Sequence, residues 1–134
     1  VEQHYRSELV ERIRANGHQI QAGDLTIRLA KEFGFCYGVE RAIDLAYAAA
    51  KVFADRRLFI LGEIIHNPEV NRHLREMGIV SLPWRGMDDS YDGLTADDVV
   101  IVPAFGAPQS FMDRLERIGC HVVDTTCGSV LSEV

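Results

Sequence analysis

The sequence predicts an α/β fold, a single three-layer domain whose mostly parallel sheet is covered by helices. Two observations carry this. Short apolar runs alternate with stretches of helical periodicity from residue 25 to residue 127. One of those runs, Val99-Val100-Ile101-Val102, is apolar at every position, as a fully buried strand is. The length of 134 residues suits one domain with a real core.

The elements follow in order. Residues 1–24 read as a helical extension: Leu9, Val10 and Ile13 stand at helical spacing among charges, and Gly17 is the stop. Leu25 to Ala30 is predicted as the first strand. The loop Phe33-Gly34-Phe35-Cys36-Tyr37-Gly38 leads into a helix marked by Val39, Ala42, Ile43, Ala46, Ala50 and Phe53. Leu58-Phe59-Ile60-Leu61 is the second strand. It runs through Gly62-Glu63-Ile64-Ile65-His66 to Asn67, a helix cap, and Pro68, a natural first helical residue. Val70, Leu74 and Met77 face that helix inward, and Gly78 ends it. Ile79 to Leu82 is a short strand, and Pro83 to Asp98 is a polar excursion. After strand Val99–Val102, Phe111, Leu115 and Ile118 mark a helix stopped by Gly119. His121 to Asp124 is the last strand. Residues 25–127 thus form the predicted domain, and 128–134 read as the start of another.

Composition excludes several classes. The chain is 47% hydrophobic and 25% charged, and no run approaches the ~18 apolar residues of a membrane span. It shows no secretory signal pattern after its first residue, Val1. Fourteen Lys and Arg against twenty Asp and Glu give a net charge of −6, which disfavours nucleic acid as a partner. Three cysteines at low density argue for a reducing compartment rather than a disulfide scaffold.

In open α/β sheets, ligands bind beyond the carboxyl ends of the strands. The loops expected there carry Cys36, His66, Phe105 with Gly106, and Thr125-Thr126-Cys127. Cys36 precedes a helix between two glycines, a setting that favours thiolate. A small buried residue in a glycine turn is the competing reading. Cys127 ends a strand after Asp124-Thr125-Thr126, whose hydroxyls can cap a helix or bond a ligand. His66, before a helix start, suits an anion such as phosphate or a backbone bond in the capping loop. Glu63 lies nearby and reads as structural. Cys120 precedes the last strand, roughly 20 Å from Cys127 at ~3.3 Å per residue, and reads as structural too. Two Cys and one His do not complete a zinc or iron–sulfur site. No CxxC, GxGxxG or Walker loop is present.

Three motifs together resemble a known family. Phe33-Gly34-Phe35-Cys36-Tyr37-Gly38-Val39-Glu40-Arg41-Ala42, Gly62-Glu63-Ile64-Ile65-His66-Asn67-Pro68 and Asp124-Thr125-Thr126-Cys127 look like motifs of the 4-hydroxy-3-methylbut-2-enyl diphosphate reductases, in the same order and at similar intervals. The resemblance covers roughly residues 25–134. It implies the last step of the non-mevalonate isoprenoid pathway, in which an allylic hydroxymethyl diphosphate is reductively dehydroxylated to isopentenyl and dimethylallyl diphosphates. It further implies a [4Fe–4S] cluster held by one Cys from each of three α/β domains. Cys36 and Cys127 would be two of its ligands, and His66 would contact the diphosphate. Ferredoxin or flavodoxin is the implied electron donor, and the bacterial cytoplasm the implied setting, ahead of the plastid stroma. Phe105 stands where many members have a diphosphate-contacting His, and Gly128 where many have Pro. The third cysteine and the proton-relay Glu belong to parts of the family outside these residues. The expectation is therefore an N-terminal fragment, inactive alone. The alternatives are a free-standing α/β module binding a small anion, and a redox-reactive protein built on Cys36.

Overall fold

The computed structural model describes residues 7–83, 91 and 93–131. They fall into two compact units, 1–35 and 36–134. In the first, helix α1 (Glu8–Ala15) opens on Ser7, whose hydroxyl accepts from the Val10 N–H at 3.4 Å. Strands β1 (Gln19–Ala22) and β2 (Leu25–Arg28) then pair antiparallel, Ala22 opposite Leu25. Gly23 turns the hairpin with φ 59°, the left-handed value required at the first central position of a type II′ turn.

This corrects the sequence reading of residues 25–30. The strand exists, but it ends at Arg28 and belongs to a separate two-stranded sheet. The physical reason lies in its composition. Leu25 and Ile27 alternate with Thr26 and Arg28, and all four residues are exposed. Strands buried on both faces of a parallel sheet cannot carry that alternation. The helix of the extension matches its prediction, while β1 lies in what was read as part of that extension.

The second unit begins with α2 (Tyr37–Val52), which buries Ala42, Ile43, Ala46 and Ala49 on one face. Strand β3 (Leu58–Leu61), helix α3 (Pro68–Glu76), strand β4 (Ile79–Leu82), strand β5 (Val99–Val102), helix α4 (Gln109–Ile118) and strand β6 (His121–Asp124) follow. The short helix α5 (Gly128–Leu131) lies within 128–134, which was read as the start of another domain; residues 132–134 are outside the described set. The four strands form one parallel sheet in the order β4-β3-β5-β6.

Alternation sorts the layers. Phe59, Leu61, Val100 and Val122 pack with Phe111, Leu115 and Met112 of α4. The alternate strand positions, Leu58, Ile60, Val99 and Ile101, face the other way. There α2 and α3 touch each other, and the Phe53 ring at the end of α2 meets the His121 ring of β6 at 4.7 Å. The crossovers through α3 and α4 run in opposite directions along the sheet, so a single handedness puts these helices on opposite faces. β5 is buried at all four positions, as its unbroken apolar run requires. The three-layer α/β arrangement expected from the sequence is present.

The stretch from Pro83 to Asp98 is less of an excursion than its polarity suggests. Tyr91 and Leu94 are buried in the α4 core, and the Tyr91 hydroxyl donates to the Pro83 carbonyl at 2.8 Å. Residues 84–90 and 92 lie outside the described set. Asp98 follows, buried before β5. It accepts from the Arg57 guanidinium at 2.7 and 2.6 Å, from the Thr95 N–H at 2.6 Å and from the Thr95 hydroxyl at 3.1 Å. Arg57 beside it, and then the Thr95 donors, hold its carboxyl below the ordinary carboxylate range against the opposing effect of burial.

Cys120 sits at that same end of the sheet, buried, its thiol 3.6 Å from the Leu115 carbonyl oxygen. Burial pushes its pKa up. Iodoacetamide is therefore expected to alkylate Cys36 and Cys127 well before Cys120 in the folded chain, followed by mass spectrometry over time. First labelling at Cys120 would refute this placement.

Candidate functional site

The site is built from three loops that leave the carboxyl ends of β3, β5 and β6, together with the first turn of α2. The loops continue the sheet's pairing after the strands end. The Ala104 N–H donates to the Ile64 carbonyl at 3.2 Å, and the Cys127 N–H donates to the Ala104 carbonyl at 2.8 Å. The Thr125 N–H and hydroxyl both donate to the Val102 carbonyl, at 3.1 and 2.6 Å. Few backbone groups are left to wander at this edge, so the side chains are carried on a stiff support.

Cys127 is set by a local turn. The Asp124 carboxylate accepts from the Thr126 N–H at 2.8 Å and from the Thr126 hydroxyl at 2.5 Å, which closes the strand end. The thiol then stands at the start of α5. Its pKa is held down first by the Ser129 N–H, then by the Ser129 hydroxyl, with smaller contributions from the Val130 N–H and the charge of Arg41; burial opposes them. Arg41, one turn into α2, also donates to the Thr126 carbonyl at 3.4 Å. A thiol with these neighbours is disposed to react and ligate as thiolate.

Gly38 explains how α2 approaches this thiol. A Cβ built there would lie 2.3 Å from the Cys127 sulfur and 3.1 Å from its Cβ. No side chain fits in that gap, so the helix start and the sulfur are in contact only because residue 38 is glycine. Cys36 caps α2 two residues earlier, with φ −75° and ψ 163°. Its carbonyl accepts from the Glu40 N–H at 3.0 Å, and its side chain is exposed. The hairpin, not a strand of the parallel sheet, precedes Cys36. Its place at this edge comes from α2 instead.

His66 occupies the loop after β3, and Phe105 the loop after β5. Their rings stack, centroids 4.8 Å apart and planes 16° from parallel. The chain reverses its direction across the sheet between β3 and β5, since β3 leads to β4 on one side and β5 to β6 on the other. That is the switch point where open α/β sheets bind ligands. The Asn67 carbonyl oxygen of the side chain accepts from the Glu69 and Val70 N–H groups at 3.0 and 3.1 Å. Those helix donors, which the sequence offered to an anion, are therefore used by the cap. Any anion contact in this loop falls to the imidazole. The Nδ1 of His66 is 3.3 Å from Oε2 of Glu63. Glu63 was placed near the site from the sequence but read as structural, and its contact with His66 is what sequence reasoning missed. Its i,i+3 spacing from His66 was the available signal, though such spacing means little outside a helix.

Gly106 links the two halves of the edge. It adopts φ 81°, and a Cβ there would meet the Thr126 methyl at 3.4 Å. The structure thus joins His66 to Phe105, the Phe105 loop to Thr126, and Cys127 to the start of α2. It does not gather the thiols and His66 into one ligand set. Among the described residues, no three His, Cys, Asp or Glu side chains are grouped to hold a metal ion. Among them, too, no helix is long and apolar enough to cross a membrane.

A parallel sheet with its ligand edge at the switch point, carrying two free thiols and an ordered imidazole, defines the class: an open α/β protein with a thiol-bearing site. Residues 27–133 match a family described as LytB protein. The chain belongs to that family. It is 51% identical over 127 residues to the 4-hydroxy-3-methylbut-2-enyl diphosphate reductase of Synechococcus sp. (strain WH7803), covering 95% of this chain and 32% of the relative. The reductase so named from Thermosynechococcus vestitus is 50% identical over 123 residues, covering 92% and 31%. A solved structure of (E)-4-hydroxy-3-methyl-but-2-enyl diphosphate reductase, described as the terminal enzyme of the non-mevalonate pathway, is 33% identical with a TM-score of 0.62. It covers 79% of this chain and 35% of that one. A Plasmodium falciparum reductase structure at 24% identity and TM-score 0.66, covering 76% of this chain and 30% of its own, shares the fold. The chain spans about a third of the length of the curated relatives it matches.

Proposed function

We propose that this chain serves a reductase that converts 4-hydroxy-3-methylbut-2-enyl diphosphate to isopentenyl and dimethylallyl diphosphates. Cys36 and Cys127 act as thiolate ligands of a [4Fe–4S] cluster, and His66 contacts the diphosphate. The observation that carries the reading is the Cys127 sulfur seated against Gly38, in the first turn of the helix that Cys36 caps. Family membership and relatives carrying the reductase name support it.

The donor chemistry fits. Thiolates are the ordinary ligands of such clusters, and Cys127 already has its pKa lowered. Two thiols are fewer than a cluster needs, so the complete set draws on at least one more. When bound, the cluster supplies electrons and a Lewis-acidic iron for cleaving an allylic C–O bond. The chain's own residues do the rest. Arg41 ties α2 to the Cys127 loop and brings positive charge to it. His66 binds phosphate oxygens at the switch point, and Phe105 stacks on one face of its ring. With a net charge of −6, attraction for a diphosphate has to be local. The proposed reductant is a ferredoxin or flavodoxin, and the proposed setting a bacterial cytoplasm.

The test is anaerobic purification of the product of the complete reading frame that contains this chain. Brown protein with iron, sulfide and turnover of the diphosphate is the expected result. Cys36→Ser and Cys127→Ser should each lose most of the iron and the turnover. An iron-free protein that reconstitution does not fill, or serine variants that hold iron like the parent, would overturn the reading.

A further inference from the structure

We infer that Glu63 is the positioning residue for His66. Together with Phe105 it fixes the imidazole so that Nε2 is the atom presented to a phosphate oxygen. The inference rests on the proposed role of His66 and names what orients it. Two contacts constrain the ring independently. The Glu63 carboxylate, 3.3 Å from Nδ1, sets the rotation within the ring plane. The Phe105 stack, 16° from parallel, sets the plane itself. These two contacts favour one orientation of the exposed ring before an anion arrives.

The chemistry follows from the inventory of the groups. A carboxylate only accepts, so the Glu63 contact requires hydrogen on Nδ1. In the neutral ring, Nε2 then carries the lone pair. Proton uptake at Nε2 makes an imidazolium with Nδ1–H toward Glu63 and Nε2–H toward the anion. Glu63 therefore selects the tautomer, as outer carboxylates do for histidines in metal sites. The backbone keeps the arrangement in place. Ile65, next to His66, accepts through its carbonyl from the Asn71 side chain at 2.8 Å and from the Asn67 N–H at 2.8 Å. Glu63 and His66 are thus presented from a loop anchored on both sides by α3 and by the Ile64–Ala104 bond.

The experiment is nitrogen NMR of the histidine-labelled product of the complete reading frame that contains this chain, with His66 assigned through His66→Gln, combined with titration of inorganic pyrophosphate. At about pH 8.5, well above the ordinary histidine range, His66 should populate chiefly the Nδ1–H tautomer. Glu63→Ala should move it to the Nε2–H form that an unrestrained imidazole prefers and weaken pyrophosphate binding several-fold. Glu63→Gln, whose amide oxygen still accepts, should keep the tautomer and lose part of the affinity. A residue acting only on the fold would leave the tautomer alone. Ring nitrogen shifts that are unchanged in Glu63→Ala overturn the inference. A tautomer that moves as expected in a chain that binds no pyrophosphate supports the positioning and overturns the diphosphate role of His66.

Discussion

Replacing Asp98 with alanine is expected to destabilise the chain by about 2–3 kcal/mol, the largest effect on folding that the structure foretells for a single polar side chain. Asp98 is 2% exposed and accepts four hydrogen bonds. Its removal leaves the Thr95 N–H without its acceptor and Arg57 without its carboxylate partner. Arg57 is itself largely exposed and can turn to water, which keeps the cost below that of a fully buried pair. A midpoint lowered by roughly 8–12 °C in thermal unfolding is the expected reading. Asp98→Asn, which retains an acceptor for Thr95, should fall between. The pH dependence has a defined sign. The folded carboxyl is held below its ordinary value, first by Arg57 and then by Thr95. Its contribution is therefore complete above the unfolded carboxylate range near about pH 3.9, and is lost as the pH falls below that toward the depressed folded value. An alanine variant as stable as the parent at pH 7, or one that narrows the gap only on the alkaline side, would contradict this.

The second large effect is expected at Gly38. Alanine in a helix is ordinarily better than glycine by about 0.5–1 kcal/mol. Here the added methyl would sit 2.3 Å from the Cys127 sulfur, so the sulfur has to leave its position. Gly38→Ala should therefore separate two quantities that usually move together. The stability of the chain should change little. Iron content and turnover of the proposed reductase should fall, turnover by roughly 100-fold, because a displacement of about 1 Å at a reacting centre has that effect. Gly93→Ala is the control, since it lies outside the site and a Cβ there meets nothing within 4 Å. Equal iron content in both variants would mean that the Gly38 contact does not place the thiol.

The legible part of this fold was the part where burial dictates composition. Val99–Val102 had to be a central strand, and Asn67-Pro68 and Gly119 mark helix ends that the structure places at the same residues. The order β4-β3-β5-β6 was not legible, because nothing in a strand's own residues says which neighbour it takes on each side. The hairpin was misread for a related reason. Gln19-Ile20-Gln21-Ala22 is polar and short, and its pairing with β2 is signalled mainly by the Gly23-Asp24 turn. Without that partner, Leu25–Arg28 looked like a strand of the main sheet. At the site, cysteine and histidine declare their chemistry by type, so Cys36, Cys127 and His66 could be picked out. Glu63 and Arg41 could not. Their significance depends on which atoms they reach, the His66 ring and the Thr126 carbonyl, and that is a property of the folded loops alone.

The bonds that run from Ile64 to Ala104 to Cys127 have a consequence for how such a chain can change. Loops at the rim of a sheet are usually where insertions and deletions accumulate, because their backbones answer only to water. Here each loop is spaced against the next like teeth on a shared rack. One residue added between Leu61 and Ile64, or between Val102 and Ala104, would put every later tooth out of step and rotate the side chains behind it. Side chains at this edge can be exchanged without touching these bonds, but its length has no slack.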